Sequence, residues 1–149
     1  MSSSMSSPKF SAGSASPATM EAKLAPLISE GGRWTLTANG EGLERTFKFK
    51  TFAKTWDFMT AVSLQCKLKN HHPEWSNVFS TTFIRWTTHN PRGLSSKDLE
   101  LAAICDSLAK DFGEVVEDTA ASSCQLTGLA DKAKDSAGED CCTPRPNSK

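Results

Sequence analysis

Between Trp34 and Phe112 the apolar residues change period, from two to three-and-four and back again, and that switching restricts the chain to a small set of layered folds. Leu43, Arg45, Phe47 and Phe49 alternate with Glu44, Thr46 and Lys48. Preceded by Trp34–Thr37 and the turn residues Asn39-Gly40 and Gly42, this predicts two strands joined by a turn, with one apolar face. Such a face needs a cover. Residues 51–69 supply one, because Phe52, Trp56, Met59, Val62 and Cys66 recur at helical spacing. Lys67 and Lys69 in the last turn, Asn70 where left-handed backbone is often needed, and Pro73 shortly beyond mark the helix end.

The remaining segments complete the pattern. Met20, Leu24, Leu27 and Ile28 predict a short first helix, with Ser16-Pro17 at its start, Gly31-Gly32 at its end and Pro26 limiting its length. After a turn expected at Ser76-Asn77, Val78–His89 is rich in β-branched and aromatic residues and reads as one strand or two. Val78, Ile84 and Trp86 fall on the expected core face with Thr82 and Thr88, and Thr87 and His89 on the opposite one. Pro91-Arg92-Gly93 forms a loop, Ser95 caps a last helix with Leu101, Ile104, Leu108 and Phe112 along one side, and Asp98 is placed to complete a capping box. These elements predict an α+β domain, an antiparallel sheet with helices packed on one face. The domain is expected over residues 18–117, between a disordered Ser-rich extension at 1–17 and a mostly disordered tail at 118–149.

Charge and composition exclude several function classes. The 149 residues carry 17 Lys+Arg against 17 Asp+Glu, so no net field attracts nucleic acid or anionic lipid. No apolar run approaches the ~20 residues of a membrane span, and no apolar stretch of a secretory signal is found near Met1. A cytoplasmic location is expected; a mitochondrial one is disfavoured because no arginine precedes Arg33. The five cysteines, Cys66, Cys105, Cys124, Cys141 and Cys142, form neither an even framework nor a CxxC pair and read as free thiols. A zinc site would require Cys66 to converge with the histidines, and no metal is assigned.

All the histidines, His71, His72 and His89, lie between Lys67 and Asp98. Imidazole both gives and takes a proton near neutrality. His71 and His72 follow a helix C-terminus, whose partial negative charge favours imidazolium. As isolated residues they could equally be solvated loop and strand-end groups.

The spacing decides between those readings. Lys67, His71-His72-Pro73, Phe79, His89 and Asp98, together with the words HHPEW, NV, TH and GLS and the upstream FKFKTF and FMTAV, resemble the pterin-4a-carbinolamine dehydratases without a gap between about Trp34 and Cys105. The resemblance implies a single two-layer domain of order α-β-β-α-β-β-α with about four strands, and a homodimer or homotetramer. It also implies dehydration of a 4a-hydroxytetrahydropterin to the quinonoid dihydropterin, in tetrahydrobiopterin recycling, with no cofactor. His71 and His89 would be the acid–base pair. His72, Asn70, Thr87, Thr88, Asn90, Asp98 and Trp75 would contact or surround substrate, although a capping role for Asp98 and a core role for Trp75 are equally good readings. Asn70 and Asn90 depart from the family, standing where its members carry acidic residues; the loss of two carboxylates near the site should weaken contacts to a basic pterin edge and reduce activity or change the pterin preference. Some family members bind and stabilise dimers of a homeodomain transcription factor. The alternative reading is therefore a protein-binding module with a coactivator role, for which the nucleus would be a second location.

Overall fold

The computed structural model describes residues 6–116 and 120–137. Helix α1 (Pro17–Ile28) begins as expected, with the Ser16 side chain accepting from the Thr19 N–H, and buries Met20, Leu24 and Leu27. Strands β1 (Thr35–Leu36) and β2 (Gly42–Lys48) form the expected hairpin, and helix α2 (Phe52–Lys69) follows. Then come β3 (Glu74–Val78), β4 (Thr81–His89), β5 (Arg92–Gly93), α3 (Ser96–Asp111) and α4 (Ala120–Ala137). The sheet is antiparallel in the order β1-β2-β4-β3, with β5 paired to the end of β4. The α+β class stands.

The main core lies between the sheet and helices α1, α2 and α3. Trp34, Leu43, Phe47, Phe49, Ile84 and Trp86 meet Phe58, Val62, Leu99 and Leu101 there. Thr82, Ile84 and Trp86 face this core as the alternation in β4 requires. Arg45 also points inward and is buried. Its guanidinium pairs with Asp106 of α3 and with Glu114 (2.6 and 2.7 Å), and lies 4.2 Å from the centre of the Phe47 ring. Trp34 Nε1 donates to the same Asp106 at 2.8 Å and Arg33 to the same Glu114 at 2.8 Å. A buried cation needs such partners, and these tie the C-terminal end of α3 to β2.

Several expectations are corrected. Helix α2 is rotated relative to its apolar stripe. Thr55, Phe58 and Val62 are its buried residues, whereas Phe52 and Trp56 stack on each other in solvent, each more than half exposed. Two apolar faces compete along this helix, and contact with Phe47 and Phe49 (ring centroids 4.8 and 5.0 Å from Phe58) favours the one bearing Phe58. In α3 the closest approach to the sheet uses small side chains, Ala102, Cys105 and Ala109, and the expected Ile104, Leu108 and Phe112 flank it half-buried. The β3–β4 turn is at Phe79-Ser80, not Ser76-Asn77. Phe79 takes left-handed backbone (φ 53°) and is 84% exposed, and Val78 is exposed rather than core. An aromatic in this conformation gives no turn signal to read.

The ends also carry structure. Within the extension expected to be disordered, the N–H groups of Lys9 and Ser11 donate to the carbonyls of Gly40 and Leu94, and Leu94 N–H returns a bond to Lys9. Gly40 (φ 75°) and Gly93 (φ 133°) admit this segment, since a Cβ would lie 2.1 Å from Ser7 O and 2.8 Å from Ser11 N respectively. Within the expected tail, α4 covers the other face of the sheet, where Leu126 and Ala130 bury Phe83 and the Leu126 carbonyl accepts from Ser76 Oγ at 2.9 Å. Helices therefore lie on both faces. Residues 1–5, 117–119 and 138–149 are outside the described residues.

If α2 is held through Phe58, Phe58→Ala costs about 3–5 kcal/mol in chemical denaturation. Phe79→Ala, at the exposed turn, stays within about 0.5 kcal/mol.

Candidate active site

Helix α2 ends where the sequence places its end. Asn70 is the left-handed C-cap (φ 50°, ψ 50°), and the His71 N–H donates to the Cys66 carbonyl at 3.1 Å. The chain then turns sharply, so that the His71 ring stacks on Trp86 of β4, with ring centroids 5.8 Å and planes 20° apart. His71 Nε2 lies 2.5 Å from Asp98 Oδ1. Asp98 is completely buried. Its other oxygen, Oδ2, accepts from the Ser95 N–H at 2.8 Å, as a capping box requires, and lies 2.7 Å from Thr88 Oγ1 and 3.2 Å from Ser95 Oγ. The cap of α3 and the contact to His71 are thus made by one carboxylate, which is buried and does not itself reach solvent.

A carboxylate can only accept, so the nitrogen facing it carries the hydrogen. The Asp98 contact therefore fixes the neutral His71 ring as the Nε2–H tautomer, with Nδ1 as its basic nitrogen. A buried carboxylate that orients a histidine in this way is a recurrent device for proton transfer.

His89 ends β4. Its Nε2 is 3.1 Å from Glu74 Oε1, and Glu74 Oε2 accepts from Arg85 at 3.0 Å. Alternation along β4 sends Thr88 toward α3 and His89 toward the face that carries Arg85 and Glu74. The two histidines are thus on adjoining elements at one end of the sheet, each against its own carboxylate. Arg85 additionally meets Glu44 (3.1 Å) and Asp131 of α4 (2.8 Å). Although burial pulls its pKa down, the carboxylates of Asp131, Glu74 and Glu44 hold it above the usual arginine value.

The other expected residues divide. His72 and Asn70 are exposed beside His71, and Asn90 is exposed beside His89 in the β4–β5 turn. Thr87 is half-buried and donates through Oγ1 to the Glu41 carbonyl at 2.8 Å. Trp75 sits opposite Ile84 and packs half-buried against the core. Sequence reasoning missed Glu74 and Arg85. Glu74 stands in the HHPEW word itself, but only the β3–β4 register brings it to His89. With asparagines at 70 and 90, the carboxylates at the two rings are Asp98 and Glu74. Among the described residues no three His, Cys, Asp or Glu side chains are grouped to hold a metal ion. Cys66 is half-buried on α2, where burial pushes its thiol up to about 11, and burial raises Cys105 as well.

Residues 14–108 match the profile of the family described as pterin 4 alpha carbinolamine dehydratase, and the chain belongs to that family. It is 40% identical over 91 residues to a protein of Dinoroseobacter shibae provisionally named pterin-4-alpha-carbinolamine dehydratase, covering 61% of this chain and 92% of that protein. A provisionally so named protein of Novosphingobium aromaticivorans is 38% identical over 81 residues, 54% of this chain and 84% of that one. The crystal structure of a transcriptional coactivator/pterin dehydratase from Brucella melitensis superposes with a TM-score of 0.56 at 27% identity, covering 64% of this chain and 98% of that chain. Helix α4 lies beyond the matched stretch. No helix among the described residues is long and apolar enough to cross a membrane.

Because Asp98 joins three segments, its removal leaves the Ser95 N–H and His71 without their acceptor and the Thr88 hydroxyl with Ser95 Oγ alone. Asp98→Ala is expected to cost about 3–5 kcal/mol. His71→Ala should cost less, since Asp98 keeps its remaining donors; thermal unfolding of the two variants provides the check.

Proposed function

We propose that this chain dehydrates a 4a-hydroxytetrahydropterin to the quinonoid dihydropterin, as a cytoplasmic step in tetrahydrobiopterin recycling. The observation that carries the reading is the pair of histidines at one end of the sheet, each backed by a carboxylate, in a chain of this family. Loss of the C4a hydroxyl as water needs a proton delivered to the departing oxygen. Formation of the C4a=N5 double bond needs the N5 proton removed. His71 and His89 supply the acid and the base, and positioned transfer of this kind contributes typically about 10²–10⁴-fold. Asp98 and Thr88 act by holding His71, while His72, Asn70 and Asn90, exposed around the two rings, contact the substrate. Thr87 and Trp75 shape the surrounding wall.

Dehydration is followed by absorbance from freshly generated 4a-hydroxytetrahydropterin. Wild type should accelerate it, His71→Ala and His89→Ala should each lower kcat by about 10²-fold or more, and the double variant should be little worse than either, as for residues that act as one unit. A folded wild type that does no better than buffer sinks the proposal.

One observation favours an added protein-binding role. The exposed surface of α2 carries Phe52, Trp56, Leu64 and Leu68, each more than half exposed, and large apolar side chains exposed along one element mark a candidate interaction surface. Self-association as a dimer or tetramer through this helix is the expected use, and the same face would serve a coactivator role. Sedimentation equilibrium should show an oligomer that Trp56→Asp dissociates; a monomeric wild type removes this reading.

A further inference from the structure

Residues 90–94 connect the two histidine groups along the chain. They leave β4 directly after His89, on the side that carries Glu74, and they enter the Ser95–Asp98 cap that holds His71. A slip of this loop therefore displaces one ring relative to the other. A connection of this length, left untied, samples many backbone states, and a misplacement of about 1 Å at a reacting centre can cost about 10²-fold in rate.

The loop is clasped by an N-terminal segment that precedes the family-matched stretch, residues 14–108. Leu94 N–H donates to the Lys9 carbonyl at 2.9 Å and Ser11 N–H to the Leu94 carbonyl at 2.8 Å, so that Phe10 and Leu94 pair as parallel strands. Ser11 Oγ donates to the Pro91 carbonyl at 2.6 Å. Ser11 and Leu94 are both buried, and Phe10 packs against the main core. The segment crosses so close over Gly93 that a Cβ there would lie 2.9 Å from Lys9 O and from Phe10 C. Its other end is tied to the β1–β2 turn, where Ser6 Oγ donates to the Ala38 carbonyl at 2.9 Å and Lys9 N–H to Gly40 at 2.8 Å. The same turn accepts from Thr87 of β4 through the Glu41 carbonyl. One segment thus joins the turn beside the end of β4 to the loop that follows it.

We propose that Ser11 is a positioning residue of the site: through its N–H and hydroxyl it locks the 90–94 loop to the N-terminal segment, and so keeps His89 in register with the His71 that Asp98 holds. The catalytic part of this inference rests on the dehydratase reading above. The clasp itself does not. Ser11→Ala removes the hydroxyl donor and keeps the backbone bonds, whereas Ser11→Thr keeps the donor. Changing Phe10 to Ala as well removes the apolar anchor and frees the segment. In the dehydration assay kcat is expected to fall about threefold in Ser11→Ala and about tenfold or more in the double variant, with KM within about threefold and Ser11→Thr within about twofold of wild type. Ser6→Ala, at the far end of the segment, should leave kcat within about twofold.

Amide hydrogen exchange of the full chain reads the clasp directly. Leu94 N–H, which bonds to Lys9, and Ser95 N–H, which bonds to Asp98, should exchange about tenfold or more faster in the double variant, while His71 N–H, bonded to Cys66, stays within about twofold. Leu27→Ala, a core change in α1, serves as the stability control: it should lower the unfolding temperature at least as far, with kcat and the two loop amides within about twofold of wild type well below that temperature. Faster loop exchange together with the kcat loss supports the proposal. Unchanged exchange at Leu94 and Ser95 overturns it, as does wild-type kcat in a variant whose loop is freed, or an equal kcat loss in Leu27→Ala. If wild type shows no dehydration at all, the dehydratase reading fails, and exchange at Ser95 still confirms or overturns the clasp.

Discussion

The site depends on one buried charge. Asp98 has no solvent contact, and an ionised carboxylate withdrawn from water costs several kcal/mol unless its lone pairs are taken up. Here they are. The N-terminal turn of α3 offers a backbone N–H and the positive end of the helix dipole, β4 offers Thr88, and the turn after α2 offers His71. Three segments distant in sequence converge because the carboxylate needs all of them. The same need holds the imidazole against Trp86, and cap, helix contact and histidine orientation are consequences of one requirement.

The opposite end of α3 is fixed by a second buried charge of the other sign. Arg45 enters the core from a strand position that alternation would give to an apolar residue, and Asp106 and Glu114 meet it. With a buried charged group anchored towards each end, α3 is set against the sheet at both termini. The small residues Ala102, Cys105 and Ala109 let it approach closely between them. A helix placed this way makes a better platform for Asp98 than one held by apolar contact alone, which tolerates sliding.

Most of the frame was legible in the sequence because its signals are local. The Ser16 cap, the Asn70 left-handed stop, the Ser95–Asp98 box and the alternation through Ile84 and Trp86 each depend on neighbours a few residues apart. What was not legible depends on partners far along the chain. The phase of α2 is decided by Phe47 and Phe49 against Phe58, and two apolar faces of one helix cannot be ranked without them. The segment around Lys9 is ordered by backbone bonds to Gly40 and Leu94, for which composition gives no hint. Helix α4 is short of apolar residues and is placed by Phe83 and Arg85, both on a strand face expected to be open. Within the candidate site, the histidines and Asp98 were singled out by their spacing. Glu74 did not, because its link to His89 runs through strand register and not through its neighbours in HHPEW.

The pleat of β4 gives the site its division of labour. Thr88 and His89 are consecutive, yet one side chain joins the Asp98 group under the helices and the other joins the Glu74 group on the α4 side. Each histidine therefore draws on a separate carboxylate, and neither ring must share its partner. In the proposed reaction this separation matters, since one ring must give a proton while the other takes one. Separate partners, set by the alternation of a single strand, let each ring be oriented by its own carboxylate.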